Sequence, residues 1–230
     1  MRINMNYSIA IDGPAGAGKS TIAKEIAKKM NYIYVDTGAM YRAMAVYFNR
    51  HGIHADSEKE IDCAVKDVDI TIEYIDGEQQ VFLNGENVTA LLRTEEAGKM
   101  ASKTSKYASV RTKLVELQRK LAAISNVVMD GRDIGTTVLP DAFCKIYLTA
   151  SVEARTTRRY NELKQKSVPC NFNEIKSDIE KRDYEDMNRE ISPLRQAEDA
   201  ILLDTSDMDI EEVVNTMIKM IQSKKLEVDK

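Results

Sequence analysis

Eight consecutive residues, Gly13-Pro14-Ala15-Gly16-Ala17-Gly18-Lys19-Ser20, satisfy G-x-x-x-x-G-K-[ST] at every fixed position. These residue types at this spacing suit one task, the holding of a polyphosphate. Glycine lets successive backbone N–H groups turn into one concavity, and a helix opening at Lys19 adds its positive dipole end. Lys19 offers a mobile ammonium to β- and γ-phosphates. Ser20 offers a hydroxyl to Mg2+, which prefers oxygen ligands, and Thr21 completes the cradle. ATP or GTP with Mg2+ is the expected ligand. The chain has only ten glycines, so three within six positions mark a local requirement rather than a loose composition.

A cradle alone does not name the acceptor of a phosphoryl group. No N-K-x-D tetrad occurs, which weighs against a guanine-reading switch. Thirteen arginines occur, and ten of them lie between positions 93 and 195. The planar fork of arginine grips phosphate with two parallel bonds and keeps its charge at any physiological pH. Transfer onto a second phosphate brings several negative charges together, and an arginine-rich second half answers that need. Arg119 and Arg195 fit solvated helix faces instead. Asp130-Gly131-Arg132-Asp133 follows an apolar run, at the edge where open α/β sheets bind ligands. Arg182, Asp183, Asp186 and Arg189 repeat charge at helical spacing, which an exposed salt-bridged helix would explain equally well by spacing alone.

The elements that must position these residues follow a recognisable rhythm. A strand over Tyr7–Asp12 runs into the cradle, a helix over Lys19–Met30 follows, and Tyr32–Val35 is a second strand. A further helix carries Met40 to Phe48 and stops at Gly52. Strand, loop and helix in alternation predict a parallel α/β sheet with flanking helices in three layers. Between about Ser57 and Val88 the pattern changes. Ser57 to Glu60 reads as a capping box opening a short helix, and Asp76-Gly77 and Asn84-Gly85 separate β-rich runs, so a small antiparallel sheet of two or three strands is expected. Helices over about Thr94–Ser102 and Ser105–Ser125 precede strands at Asn126–Asp130 and Cys144–Thr149. A basic segment, Arg155–Lys166, is followed by a charged helix over about Asn171–Arg189. A last strand at Ala200–Asp204 and an amphipathic helix over Asp209–Lys225 close the chain.

Composition sets the class. The 230 residues carry 33 Lys and Arg against 37 Asp and Glu, a formal charge of −4. That balance argues against a nucleic-acid-wrapping protein. Without an apolar run near 18 residues or a leader pattern, neither membrane nor export is expected, and three scattered cysteines fit a reducing cytoplasm. His51 and His54 form H-x-x-H at a helix end, with no cysteine or carboxylate arranged around them as a metal site would need.

Taken as a set, IAIDGPAGAGKST, VDTGAMYRA, LLRTEE, ASK with Arg111 nine residues beyond its serine, MDGRDIGT and KRDYEDMNR resemble the bacterial-type cytidylate kinases of the P-loop nucleoside monophosphate kinases. The resemblance runs from Ile9 to about Asp204. It implies one P-loop kinase domain over 1–230, with a nucleoside-monophosphate-binding insert at 57–101 and a helical lid at 153–170. It implies ATP as donor, Mg2+, and CMP or dCMP as acceptor, in a monomeric cytoplasmic enzyme. By position it implies that Ser102, Arg111 and Asp133 read the cytosine; a carboxylate can accept from the 4-amino group while arginine and serine donate to ring acceptors. Asp36, Arg42, Asp130 and Arg132 would stand at the acceptor nucleotide and its phosphate. Arg182 and Asp186 would bond the ribose, and Arg189 would lie between the phosphates. Arg155, Arg158 and Arg159 would close over ATP. Lys19, Arg132 and Arg189 would carry catalysis by neutralising charge, with no general base. Ser167 departs from the family pattern, which has glycine after the lid lysine. Two alternatives remain: a kinase of the same fold acting on UMP or a sugar acid, and a regulatory module that hydrolyses ATP as a switch.

Overall fold

A computed structural model of the chain describes residues 6–228, so the expected domain span of 1–230 passes beyond the described residues at both ends. In chain order the elements are β1 (Ser8–Asp12), α1 (Lys19–Met30), β2 (Ile33–Asp36), α2 (Thr37–Arg50), α3 (Glu58–Ala64), β3 (Ile70–Ile75), β4 (Glu78–Leu83) and β5 (Glu86–Asn87). There follow α4 (Glu95–Thr104), α5 (Ala108–Ile124), β6 (Val127–Gly131), β7 (Cys144–Thr149), α6 (Val152–Gln165), α7 (Phe172–Asn188), β8 (Ile201–Asp204) and α8 (Ile210–Val228). The chain divides into two compact units, one of Met1–Tyr34 with Ile124–Lys230 and one of Val35–Ala123.

The first unit is built on a five-stranded sheet in the order β2-β6-β1-β7-β8. β1 runs parallel to both β6 and β7, and β7 runs parallel to β8. Strands buried on both faces read as continuous apolar runs, and SIAID, VVMDG and CKIYLT do so. α1 presents Ile22, Ala23, Ile26 and Ala27, and α8 presents Val213, Val214, Met217 and Ile221, to a core shared with Ile9, Ile11, Val128, Ile146 and Leu148. Burying one such side chain is worth about 1.5–3 kcal/mol. That core holds β1 in the middle of the sheet, with its C-terminal end opening onto the cradle.

The second unit holds α2, the antiparallel sheet β3-β4-β5, and the helices α3, α4 and α5. It is wider than the insert at 57–101. Both hairpin turns take the left-handed conformation at two successive residues, Asp76 and Gly77 at φ 54° and 77°, Asn84 and Gly85 at φ 48° and 83°. That pairing is the twist-matched two-residue turn that D-G and N-G favour. Asp36 caps α2 by accepting from the Ala39 N–H at 2.9 Å, and Thr94 caps α4 through Ala97. The capping box expected at Ser57 does not form. α3 opens in the right place, but the Ser57 side chain makes no capping bond, and the Glu60 carboxylate accepts from the His54 N–H instead.

Candidate active site

The cradle is fixed by what its glycines must avoid. A Cβ on Gly13 would lie 1.9 Å from the Leu148 carbonyl oxygen of β7, a contact no side chain can make. Gly18, at φ 84°, is the N-cap of α1 and brings no capping side chain, so the first-turn amides are left for an outside anion. Lys19 is buried and donates from Nζ to the Pro14 carbonyl oxygen at 2.7 Å. Burial, then the nearby Arg132 cation, pulls its pKa well below the usual lysine value. A desolvated ammonium inside a ring of backbone amides is a fit for phosphate oxygens, which would return the charge compensation that burial removes.

Beside it, Ser20 Oγ donates to Asp130 Oδ2 at 2.9 Å, and the Tyr34 hydroxyl donates to Asp130 Oδ1 at 2.9 Å. A hydroxyl and a carboxylate meeting at the end of two adjacent strands are hard oxygen donors, the set Mg2+ takes. The sequence alone pointed to Ser20 as the metal residue. Asp130 and its tyrosine partner join it only once β1 and β6 are paired, with Ile11 opposite Asp130.

Beyond Asp130 the chain turns through Arg132 and Asp133 into a single wide helical turn, Ile134–Val138. Arg132 Nε lies 2.7 Å from Asp186 Oδ2. Arg189 stands 3.6 Å from Asp186 and 3.7 Å from Asp133, and donates from Nε to the Ser192 carbonyl at 2.6 Å. The four charged groups form one cluster at the C-terminal edge of the sheet. Burial works against the Arg132 cation, but Asp186, Asp130 and Asp12 outweigh it and the net shift is upward. Burial likewise works against the Asp186 carboxylate, and Arg132, Arg189 and Arg182 together pull its pKa below the ordinary value. Arg132 and Asp186 therefore both stay charged at neutral pH. Arg182 is exposed and acts on this group through its field on Asp186.

Arg155 is placed differently from a mobile lid contact. Its buried guanidinium donates to the carbonyls of Ala150 (2.9 Å) and Ala15 (2.9 Å), and it pairs with Asp183 at 2.6 Å. In this conformation it braces the cradle backbone. Arg158 donates to Thr205 in the loop after β8, and Arg159 pairs with Glu162 on the same helix at 2.7 Å.

In the second unit, Arg42 lies 3.2 Å from the Asp36 carboxylate, whose main-chain N–H donates to Gln79 Oε1 at 2.8 Å. The Nε of Arg42 is buried and has no hydrogen-bond partner among the described residues. Arg111 is buried, donates to the Ser105 carbonyl at 3.2 Å, and stacks its cation 5.7 Å from the Tyr41 ring centre. Ser102 is half-buried one turn away, its carbonyl accepting from Ser105 Oγ at 3.0 Å. His51 is occupied by Tyr47, whose carbonyl lies 2.8 Å from Nδ1 and whose ring stacks on the imidazole.

Sequence reading missed Asp12. Its two carboxylate oxygens accept the N–H groups of Ile134 (2.8 Å) and Gly135 (2.7 Å). An acidic residue ending an otherwise apolar strand was the available signal. Asp183, the partner of Arg155, was seen only as part of a charge repeat.

Comparison with known proteins places this geometry. The chain superposes on a gluconokinase from Sinorhizobium meliloti with a TM-score of 0.50 at 13% identity, covering 98% of each chain, a likeness of fold. A cytidylate kinase of Lactobacillus johnsonii is 48% identical over 222 residues, 96% of either chain. Another, from Carboxydothermus hydrogenoformans, is 49% identical over 216 residues, 94% of this chain and 97% of its own. The profile of the family described as cytidylate kinase matches residues 9–223, from β1 into α8. With a phosphate cradle, an arginine–aspartate cluster at the sheet edge and near-complete coverage by that profile, the chain belongs to the cytidylate kinase family.

Proposed function

We propose that the chain transfers the γ-phosphoryl group of ATP to CMP or dCMP, with Mg2+ held at Ser20 and Asp130. The observation that carries this reading is the cluster of Arg132, Asp133, Asp186 and Arg189 beside a cradle whose lysine is already stripped of water. A regulatory switch has no need of two half-buried guanidinium groups next to the donor phosphates; an acceptor that is itself a phosphate does.

At pH 7 the phosphate of a nucleoside monophosphate, with its second pKa near about 6, is mostly dianionic and needs no base to attack. The protein's work is alignment and charge neutralisation. Lys19 and the first-turn amides of α1 hold the donor phosphates. Mg2+ would supply charge compensation at the donor oxygens. Arg132 and Arg42 bind the acceptor phosphate, and the buried, unpartnered Nε of Arg42 favours an anionic ligand there. Arg189 lies between donor and acceptor phosphates. Asp186 and Arg182 take the ribose hydroxyls, and Asp36 stands at the acceptor nucleotide. Asp133, Arg111 and Ser102 read the cytosine. Arg155 acts on ATP through the Ala15 carbonyl it grips, while Arg158 and Arg159 sit on the helix that covers the donor.

The experiment is an acceptor panel with ATP and Mg2+, measuring ADP release and nucleotide product with CMP, dCMP, UMP, AMP and gluconate. CDP and dCDP formed one for one with ADP support the reading. Slow ATP hydrolysis that no acceptor stimulates would replace it with a regulatory module.

A further inference from the structure

Asp12 has no part in the reading above, yet its placement is unusual for a buried acid. It is the last residue of β1, so its main chain leads directly into Gly13 of the cradle. Its side chain turns the other way. One oxygen accepts the Ile134 N–H at 2.8 Å and the other the Gly135 N–H at 2.7 Å, the two amides that follow Asp133. These residues open the wide turn over Ile134–Val138, in which the Val138 N–H reaches back to the Asp133 carbonyl at 3.1 Å and the Leu139 N–H to the Ile134 carbonyl at 2.7 Å. Bonds spanning five residues are a rare helical geometry, found most often at functional positions. A turn of that kind does not hold its own shape, and here a carboxylate on the neighbouring strand clamps its first two amides.

The fit around the clamp is tight. A Cβ on Gly135 would come 3.3 Å from Asp12 Oδ2 and 3.1 Å from Lys145 Cδ. A side chain at this position would make the carboxylate or Lys145 give by a few tenths of an ångström. Burial lifts the Asp12 carboxyl to about 6, so ionised Asp12 at neutral pH is retained at a cost in stability rather than for a gain. Charges kept on such terms belong to sites where geometry serves activity.

We propose that Asp12 is a positioning residue for acceptor recognition: by clamping the Ile134 and Gly135 amides it fixes the orientation of Asp133 relative to the strand that carries the donor cradle. The proposal rests on Asp133 reading the acceptor base. The carboxylate touches no nucleotide; it sets the angle at which its neighbour does. Loosening the clamp therefore weakens and blurs recognition of the acceptor, while ATP, held by the main chain on the other side of Asp12, is bound nearly as before.

Two variants test this by different routes. Asp12→Asn keeps shape but can accept only one of the two N–H groups, its own NH2 facing the other. Gly135→Ala keeps the charge and crowds the carboxylate, lengthening its bonds to the two amides. Steady-state kinetics with CMP, UMP and ATP as varied substrates, beside Asp133→Asn as reference, give the readout. The expected result is a rise of tenfold or more in KM for CMP and a CMP-over-UMP preference reduced at least fivefold in both variants, with KM for ATP within twofold of wild type. Equal losses toward CMP and ATP, or an intact CMP preference in both variants while Asp133→Asn loses it, would overturn the positioning role and leave the Asp133 assignment standing. An unchanged preference in Asp133→Asn itself would remove that assignment, and the role of Asp12 with it.

Discussion

The Asp12 carboxyl makes stability depend on pH in a direction opposite to that of most acids. Its ordinary value of 3.8 is raised to about 6, first by burial, against the pull of the Gly135 and Ile134 amides. Between these two values the folded chain holds a proton that the unfolded chain has already released. Stability from this residue therefore falls as pH climbs from about 4 to about 6, and the whole loss is present at neutral pH. The gap is worth about 3 kcal/mol at about 1.4 kcal/mol per pH unit. Asp12→Asn removes the titration while leaving every other group in place. Thermal unfolding of wild type and variant, followed by circular dichroism from pH 4 to pH 7, isolates the effect as the difference between the two curves. Relative to the variant, wild type should lose most of about 3 kcal/mol over that range, which for a chain of this size moves its midpoint by about 6 °C or more. At pH 7 the two should lie close together, because the asparagine leaves one amide without an acceptor at a cost of about 1–3 kcal/mol. Curves that stay parallel from pH 4 to pH 7 would refute the argument, for they would mean that Asp12 titrates alike in the folded and unfolded chains.

Other outcomes can be stated briefly. Lys19→Ala and Arg132→Ala should each lower kcat by about 100-fold or more, the effect of removing one charge-stabilising donor from a preorganised site; near-normal turnover in either would remove it from the chemistry. Asp133→Asn should erode the preference for CMP over UMP measured as a ratio of kcat/KM, since an amide can donate to the 4-carbonyl of uracil as well as accept. Ser167 follows the C-cap of α6 at φ 56°; its N–H donates to the Lys164 carbonyl at 3.0 Å, and the Val168 N–H donates to the Leu163 carbonyl at 3.0 Å. That is a helix stop built for glycine, so Ser167→Gly should raise stability by about 0.5–1 kcal/mol in urea denaturation, and a loss would contradict the reading.

The framework was legible because local rules and tertiary packing agree there. The spacing of Ile22, Ala23, Ile26 and Ala27 gave α1 its bounds, CKIYLT gave β7, and D-G and N-G gave both hairpin turns. Ser57 shows where such a rule gives out: S-x-x-E marks the start of α3, but the Ser57 side chain makes no capping bond and the Glu60 carboxylate accepts from the His54 amide. Arg155 shows another boundary. A basic helix reads as a row of phosphate-seeking cations, whereas this guanidinium is consumed by Ala15, Ala150 and Asp183, and only the meeting of residues 140 positions apart reveals that. Asp12 was invisible for the same reason. Nothing within ten residues of it calls for a carboxylate; the demand comes from amides 122 and 123 positions away, which β1 meets only when paired with β6.

Asp12, Lys19 and Arg132 share a physical condition that explains why they stand together. Each carries charge in a wholly or partly buried place, and burial alone opposes the charged form of every one of them. For Arg132, neighbouring carboxylates reverse the balance; for Lys19 the nearby carboxylates do not, nor for Asp12 do the Gly135 and Ile134 amides. Left to stability alone, such positions would drift toward neutral or apolar residues. Their arrangement makes sense if reorganisation is avoided at the moment phosphates arrive: Lys19 is already dry, Arg132 is already aimed by Asp186, and the Asp133 turn is already clamped by Asp12. Ser167 supplies the contrast. It too is held in a disfavoured conformation, but it lies exposed just past the end of α6, so its strain can be relieved by one substitution without touching the chemistry.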